Sequence, residues 1–155
     1  MFKKILALHT GGTISMAADD SGAVITNEVN PMTQITSPIE GIAVTSEDFF
    51  NLPSPQMTPR HMLALYQKIK EEAPNYDGIV ITHGTDTLEE TAYFLDTMEL
   101  PEIAVVITGA MRSSNELGSD GVYNFLTALR VAADPKARDK GVSVVMNDEI
   151  HAAKY

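Results

Sequence analysis

The stretch that decides the fold is Ile79-Val-Ile-Thr-His-Gly-Thr-Asp-Thr-Leu-Glu-Glu-Thr91, in which a short apolar run ends at a glycine and a helix-forming run follows. A hydroxyl and a carboxylate, Thr85 and Asp86, stand at the turn between the two runs. In open α/β proteins, ligands bind at the carboxyl ends of parallel strands. The stretch therefore predicts a strand, a helix, and a candidate pair of site residues between them.

The chain has the same kind of corner, meaning the turn that follows a strand, in two other places. Ile5-Leu-Ala-Leu8 leads into His9-Thr-Gly-Gly-Thr13, and Val105-Val-Ile107 leads into Thr108-Gly-Ala-Met111. Three apolar runs that end in clusters of threonine and glycine suggest one site assembled from three loops.

The predicted strands are short, continuously apolar and rich in valine and isoleucine, as expected of parallel strands covered on both faces. They are Lys4–Leu8, Gly78–Thr82, Ile103–Thr108 and Val142–Met146. Helices are predicted from Thr58-Pro59 to Pro74, with Met62, Leu63, Leu65, Tyr66 and Ile69 as the apolar face, then over Thr87–Met98 and Ser119–Ala133. Strands that alternate with helices predict an α/β fold with a doubly wound, mainly parallel sheet flanked by helices.

Other segments fit this alternation less well. Ser15–Asn30 has little periodicity and is interpreted as a loop or a small hairpin, placed to act as a lid over the first corner. Ile39–Thr45 is predicted to be a further strand. Residues 147–155 form a polar corner to which no element is assigned, and this abrupt end suggests a piece of a larger protein.

Composition excludes several classes of protein. A chain of 155 residues suffices for one domain with a substantial core. The net charge of −10 argues against nucleic acid and anionic membranes as partners. The chain has no cysteine, and hence no disulfide or thiolate. The apolar run before His9 is too short for a signal peptide, which needs roughly 7–15 apolar residues. These features predict a soluble, cytoplasmic protein.

The glycine corner at Gly11-Gly12-Thr13 has three interpretations: a phosphate loop, a turn that presents a nucleophile, or only a tight turn. It lacks the Gly-Lys-Ser/Thr ending of a phosphate loop, which weakens the first interpretation. A threonine hydroxyl is a poor nucleophile unless a neighbouring base accepts its proton. Thr85 or Asp86 could cap the next helix, or the pair could supply a proton relay and a carboxylate for a ligand amine. Both roles are compatible with one helix start.

Other polar residues carry weaker signals. Ser54 lies between two prolines before a helix, where turn chemistry is the plain alternative to a binding role. The four histidines show no metal-ligand spacing, and His83 is interpreted as a buried residue or one that supports the site, rather than a base. No metal site is predicted.

Four blocks together resemble the bacterial-type L-asparaginase family, which includes the glutaminase-asparaginases. They are Thr10-Gly-Gly-Thr-Ile14, His83-Gly-Thr-Asp-Thr-Leu-Glu-Glu-Thr91, Thr108-Gly-Ala-Met-Arg112 and Val145-Met-Asn-Asp148. The resemblance covers the whole chain, and four blocks in order are far more specific than any one of them.

The resemblance implies a role for each matching residue. Thr13 would be the nucleophile that attacks the side-chain amide carbon of the substrate, and Thr85 the second catalytic threonine. Asp86 would bind the substrate α-amino group, Ser54 its α-carboxylate, and the backbone around Ala110 its amide. This is acyl-transfer chemistry, in which loss of ammonia is followed by hydrolysis of an acyl-enzyme.

The backbone N–H groups of Gly12 and Thr13 would stabilise the oxyanion. No cofactor is implied. The substrate would be L-asparagine, with L-glutamine left open because one methylene is worth only about 1–3 kcal/mol of discrimination. The parent protein would be a homodimer or homotetramer.

The chain also differs from the family pattern in three respects. The family's catalytic lysine follows the Val145-Met-Asn-Asp148 block, and Lys154 comes too early to match it. A tyrosine that the family often carries is missing from Ser15–Asn30, and the family's smaller C-terminal domain is absent. Residues 1–155 are therefore expected to be the N-terminal, nucleophile-bearing domain and to be inactive alone. Two alternatives remain open: the asparaginase-like subunit of a tRNA-dependent amidotransferase, and a non-catalytic amino-acid-binding module.

Overall fold

The computed structural model describes residues 3–11, 16–18, 24–26, 41–50, 57–85, 87–109, 121–138, 141–146 and 149–152. The strands are β1 (Lys3–His9), β2 (Met16–Ala18), β3 (Val24–Thr26), β4 (Ile42–Asp48), β5 (Gly78–Thr82), β6 (Ala104–Thr108), β7 (Val142–Met146) and β8 (Glu149–Ala152). The helices are α1 (Pro59–Glu72), α2 (Leu88–Thr97) and α3 (Gly121–Ala133), with short 3₁₀ turns at Ala73–Asn75 and Pro135–Ala137.

The main sheet has the strand order β4-β1-β5-β6-β7-β8. Its first five strands are parallel to one another, and β8 pairs antiparallel with β7 at the edge. Strands β2 and β3 pair antiparallel in a separate two-stranded sheet. The predicted α/β fold with a mainly parallel sheet is therefore confirmed, and so is the hairpin alternative for the segment after the first corner.

Each central strand sends alternate side chains to opposite faces of the sheet, so two apolar cores form. On one face, Ile5, Val80 and Val106 pack with Phe125 and Leu129 of α3. The opposite face packs against α1 and α2, and its fully buried members include Leu8, Leu65, Ile69, Ile79, Ile81, Leu95 and Ile107. Helices on both faces explain why these strands have continuously apolar sequences.

Helix α1 begins where the sequence predicts. Thr58 is its N-cap, and Pro59 occupies the first helical position. The backbone N–H of Thr58 donates to His61 Nδ1 at 3.1 Å, and the N–H of His61 donates to Thr58 Oγ1 at 3.4 Å. This reciprocal pair satisfies two backbone donors that the first turn of a helix leaves without partners. Leu63, predicted to lie on the buried face, is 40% exposed.

A carboxylate joins the end of α2 to the start of β7. Asp96 Oδ1 accepts a hydrogen bond from the backbone N–H of Val142 at 2.9 Å. The preceding residue, Gly141, has a φ of +71°, and a Cβ there would clash with the same Asp96 oxygen. Glycine is therefore favoured at position 141, because other residues are strained at this positive φ and a side chain there would have to displace the Asp96 carboxylate.

Two edge strands differ from the sequence-based expectations. The strand predicted at Ile39–Thr45 ends at Asp48, three residues later, because its polar second half, Thr45 to Asp48, pairs with Leu6 to His9 of β1. No strand was expected at residues 149–152, yet Glu149–Ala152 forms β8 by pairing with β7. No helix of the described residues is long and apolar enough to cross a membrane.

Candidate functional site

The carboxyl edge of the sheet brings the three predicted corners side by side. Strands β1, β5 and β6 are neighbours, and their last residues are in register, with His9 opposite Thr82 and Thr82 opposite Thr108. The backbone continues this pairing past the strand ends, since Thr10 N–H donates to Thr82 O at 3.1 Å and His83 N–H donates to Thr108 O at 2.9 Å. The strand ends from which the three corners start are therefore held in fixed register on one edge.

Three buried polar side chains, here called the polar row, lie at this edge on the face of the sheet that packs against α3. His9, Thr82 and Thr108 are all 0% exposed. His9 Nδ1 lies 2.8 Å from Thr82 Oγ1, and Thr108 Oγ1 donates to Val145 O at 2.6 Å. Because buried polar groups are costly without partners, these contacts stabilise the strand ends in one arrangement.

His9 is a neutral residue of this row. Burial lowers the pKa of His9 from 6.5 to about 4. Its ring packs against Phe125 with the two ring centroids 5.6 Å apart. Its second ring nitrogen, Nε2, is buried and has no hydrogen-bond partner among the described residues. Within the part of the chain that the structure describes, Nδ1 alone therefore links the imidazole to a neighbouring strand.

The backbone around His9 connects further parts of the edge. The carbonyl of His9 accepts hydrogen bonds from the N–H groups of Phe49, at 2.8 Å, and Phe50, at 3.1 Å. The hydroxyl of Thr10 donates to Thr82 O at 2.8 Å, and this carbonyl also accepts the Thr10 N–H. Hydrogen bonds of two consecutive residues, His9 and Thr10, thus connect the end of β1 to the ends of β4 and β5.

His83 fixes the second corner from the opposite side. Its Nδ1 lies 2.7 Å from Gly84 O, and since a carbonyl can only accept, Nδ1 carries the hydrogen. Its Nε2 lies 2.8 Å from Thr91 Oγ1 in α2 and accepts the hydroxyl hydrogen. Burial lowers the pKa of His83, against the opposing effects of the Gly84 carbonyl and the Glu90 carboxylate. His83 is therefore a neutral buried residue, as its sequence context suggested.

Gly109 allows the second and third corners to touch. A Cβ at position 109 would lie 2.5 Å from His83 O and 3.5 Å from Thr85 Cγ2. The carbonyl of Gly109 accepts a hydrogen bond from Asn124 Nδ2 in α3 at 2.8 Å. Because Gly109 has no side chain, the start of the β6 corner can approach the backbone of the β5 corner closely. The hydrogen bond from Asn124 connects Gly109 to α3.

The described residues include one of the predicted site residues, Thr85, which is half-buried at the corner after β5. It lies beside Gly109, the residue before Ala110. The helix that follows has Thr87 at its N-cap position, so Thr85 stands two residues before the cap. The predicted residues Gly12, Thr13, Ser54, Asp86 and Ala110 lie outside the described residues.

Sequence reasoning missed the polar row beneath the corners. Its members could have been found by one signal, because each is the last residue of its strand and the first polar side chain after an apolar run. Asn124 and Thr91 lie within helices and carry no comparable signal. Among the described residues, no three histidine, aspartate or glutamate side chains form a possible metal-binding group.

Sequence comparisons with known proteins point to one family. A family model described as "Asparaginase, N-terminal" matches residues 4–155. The chain is 41% identical to L-asparaginase 2 of Escherichia coli over 155 residues, which cover 94% of this chain and 43% of that protein. It is 38% identical over 159 residues to an L-asparaginase of Bacillus licheniformis, covering 100% of this chain and 49% of the relative.

A glutaminase-asparaginase of Pseudomonas aeruginosa is 39% identical over 154 residues, covering 94% of this chain and 42% of that protein. The chain thus spans slightly less than half the length of these curated relatives.

Proposed function

The chain belongs to the asparaginase family as its N-terminal domain, and on this premise we propose that it carries the nucleophile of an L-asparaginase that hydrolyses L-asparagine to L-aspartate and ammonia. The observation that supports the proposal most strongly is the shared register of His9, Thr82 and Thr108. It sets the starts of the three corners beside one another, and Thr13, Asp86 and Ala110 follow these starts within a few residues of sequence.

In the proposed reaction, the hydroxyl oxygen of Thr13 attacks the side-chain amide carbon of asparagine. The C–N bond breaks, ammonia leaves with the proton that the hydroxyl has lost, and an ester to Thr13 remains. Water then hydrolyses the ester to aspartate and restores the hydroxyl. The backbone N–H groups of Gly12 and Thr13 would stabilise the oxyanion in both steps.

Thr85 and Asp86 are proposed to serve the same reaction from the second corner. Thr85 would take part in the proton transfer, while Asp86 would bind the α-amino group and Ser54 the α-carboxylate. Two neutral buried histidines and several hydroxyl groups surround this edge among the described residues. Such a frame supports the proposal, because it holds the strand ends that lead to the reacting groups through hydrogen bonds that do not change with protonation near neutral pH.

The test is ammonia release from L-asparagine and from L-glutamine by the full-length protein. The variant Thr13→Ala should lower turnover by about a thousandfold or more if its hydroxyl is the nucleophile. The matched control is Thr97→Ala, because Thr97 is an exposed threonine at the far end of α2. The control should keep wild-type turnover.

The 155-residue chain is assayed beside the full-length protein, and we expect it to be inactive alone because it spans less than half the length of its relatives. Activity of Thr13→Ala close to that of wild type would contradict the nucleophile assignment. Silence of the full-length protein toward both amides, with aspartate still bound, would favour an amino-acid-binding module.

A further inference from the structure

We propose that His9 is a positioning residue for this site: its imidazole and its carbonyl together fix the relative positions of the corners after β1, β4 and β5. The inference rests on the proposed function in so far as these corners carry the reacting groups. It assigns a role to a residue that none of the four family-like blocks contains.

The first link is made by the side chain. His9 Nδ1 lies 2.8 Å from Thr82 Oγ1 across the β1–β5 pair, and both residues are 0% exposed. Whichever atom carries the bridging hydrogen, the contact joins the last residue of β1 to the last residue of β5. The β5 corner that follows contains Thr85 three residues later.

The second link is made by the backbone. The His9 carbonyl accepts hydrogen bonds from both Phe49 and Phe50, directly after β4. Ser54 follows four residues after Phe50, and Thr13 follows four residues after His9. A shift of the His9 backbone would therefore move the starting points of two loops while the side chain holds the third.

Packing restricts His9 to one position. The imidazole lies against Phe125 of α3, which is itself 0% exposed, at a centroid distance of 5.6 Å. Complete burial separates the ring from solvent, so a positioning role fits better than proton transfer to a substrate. Because Nδ1 has a partner and Nε2 has none among the described residues, the two ring nitrogens can be tested separately.

The test compares His9→Asn with His9→Gln in the full-length protein. The asparagine amide reaches the position of Nδ1 and can replace its hydrogen bond, whereas the longer glutamine amide reaches the position of Nε2. We expect His9→Asn to keep kcat within about threefold of wild type. His9→Gln should lower kcat by about tenfold to a hundredfold with KM little changed, since small displacements of reacting groups have effects of this size.

Thr82→Val removes the partner of Nδ1 and provides a double-mutant cycle. If His9 and Thr82 act through their shared hydrogen bond, Thr82→Val should lower kcat as much as His9→Gln does. The kcat of the double variant should then be no lower than that of either single variant. Losses that multiply in the double variant would overturn the proposal. Equal kcat values for His9→Asn and His9→Gln would overturn it as well.

Hydrogen–deuterium exchange gives a readout that does not depend on activity. Amide exchange at residues 49–50 and 82–85 should be faster in His9→Gln than in wild type, while His9→Asn should match wild type. Equal exchange in the two variants would refute the positioning role. If the wild-type protein releases no ammonia from either amide, the proposed function fails, and exchange alone decides whether His9 positions the corners.

Discussion

Replacement of His9 by asparagine should make the protein less sensitive to acid. Burial lowers the pKa of His9 from 6.5 to about 4, so the unfolded chain binds a proton that the folded chain excludes between these values. Stability that is fully present above pH 6.5 is therefore lost as the pH falls toward 4. The complete effect is about 3 kcal/mol, of which about 1 kcal/mol is lost by pH 5.5 and about 2 kcal/mol by pH 5.

The assay is urea unfolding of wild type and His9→Asn at pH 7.5 and 5.5, both above the sequence pI of about 4.7. His83, whose pKa burial also lowers, is present in both proteins, so its contribution cancels in the comparison. Between the two pH values, wild type should lose about 1 kcal/mol more unfolding free energy than His9→Asn. Thr82→Val keeps the buried imidazole and serves as the control, which should retain the wild-type loss.

Parallel pH dependences for wild type and His9→Asn, within about 0.3 kcal/mol, would refute this reasoning. Such a result would mean that the His9 imidazole accepts a proton in the folded state as readily as in water. The His9 side chain would then be in contact with water in the folded protein, contrary to its burial between β1 and α3.

Three further changes test contacts that hold the edge and the sheet. Gly109→Ala would place a Cβ 2.5 Å from His83 O, so it should lower the unfolding free energy by about 2 kcal/mol or more and reduce ammonia release, as measured by urea unfolding and turnover. Thr91→Val would leave His83 Nε2 without its hydrogen bond and should cost about 1–3 kcal/mol in the same unfolding assay, whereas Thr91→Ser should cost less. Asp96→Ala would remove the acceptor of the Val142 N–H and should lower the unfolding free energy by about 1–3 kcal/mol without changing KM for asparagine, and an unchanged urea midpoint would contradict this.

The buried part of the fold could be predicted from the sequence because burial on both faces leaves a direct signal. Gly78–Thr82 and Val142–Met146 are short runs rich in valine and isoleucine or methionine, and the structure gives the strands the same bounds. The edge strands carry no such signal. The second half of β4, Thr45 to Asp48, is polar and none of its residues is fully buried, because β4 is an edge strand, and β8 is a strand through its pairing with β7 rather than its composition.

The candidate site could also be predicted only in part from the sequence. The corners could be located because a glycine and a hydroxyl follow each apolar run, a signal that lies within about ten residues of sequence. The role of His9 could not be predicted, because its partner Thr82 lies 73 residues away and the two meet only through the strand order β4-β1-β5. Local patterns reveal where a strand ends, whereas contacts between strand ends depend on topology.

The strand order also bears on the way the chain is made. β1 pairs with β4 and β5, so Ile5 finds its partner Gly78 only after 73 further residues have been synthesised. At ribosomal speeds of about 5–20 residues per second, the apolar run Ile5-Leu-Ala-Leu8 waits about 4–15 s for that partner. During this interval the strand can pair with β4, through Ile5 and Val44, but its other edge still has no partner. We therefore expect the strand that supports the first corner to be bound by chaperones of extended apolar peptides while the chain is being made.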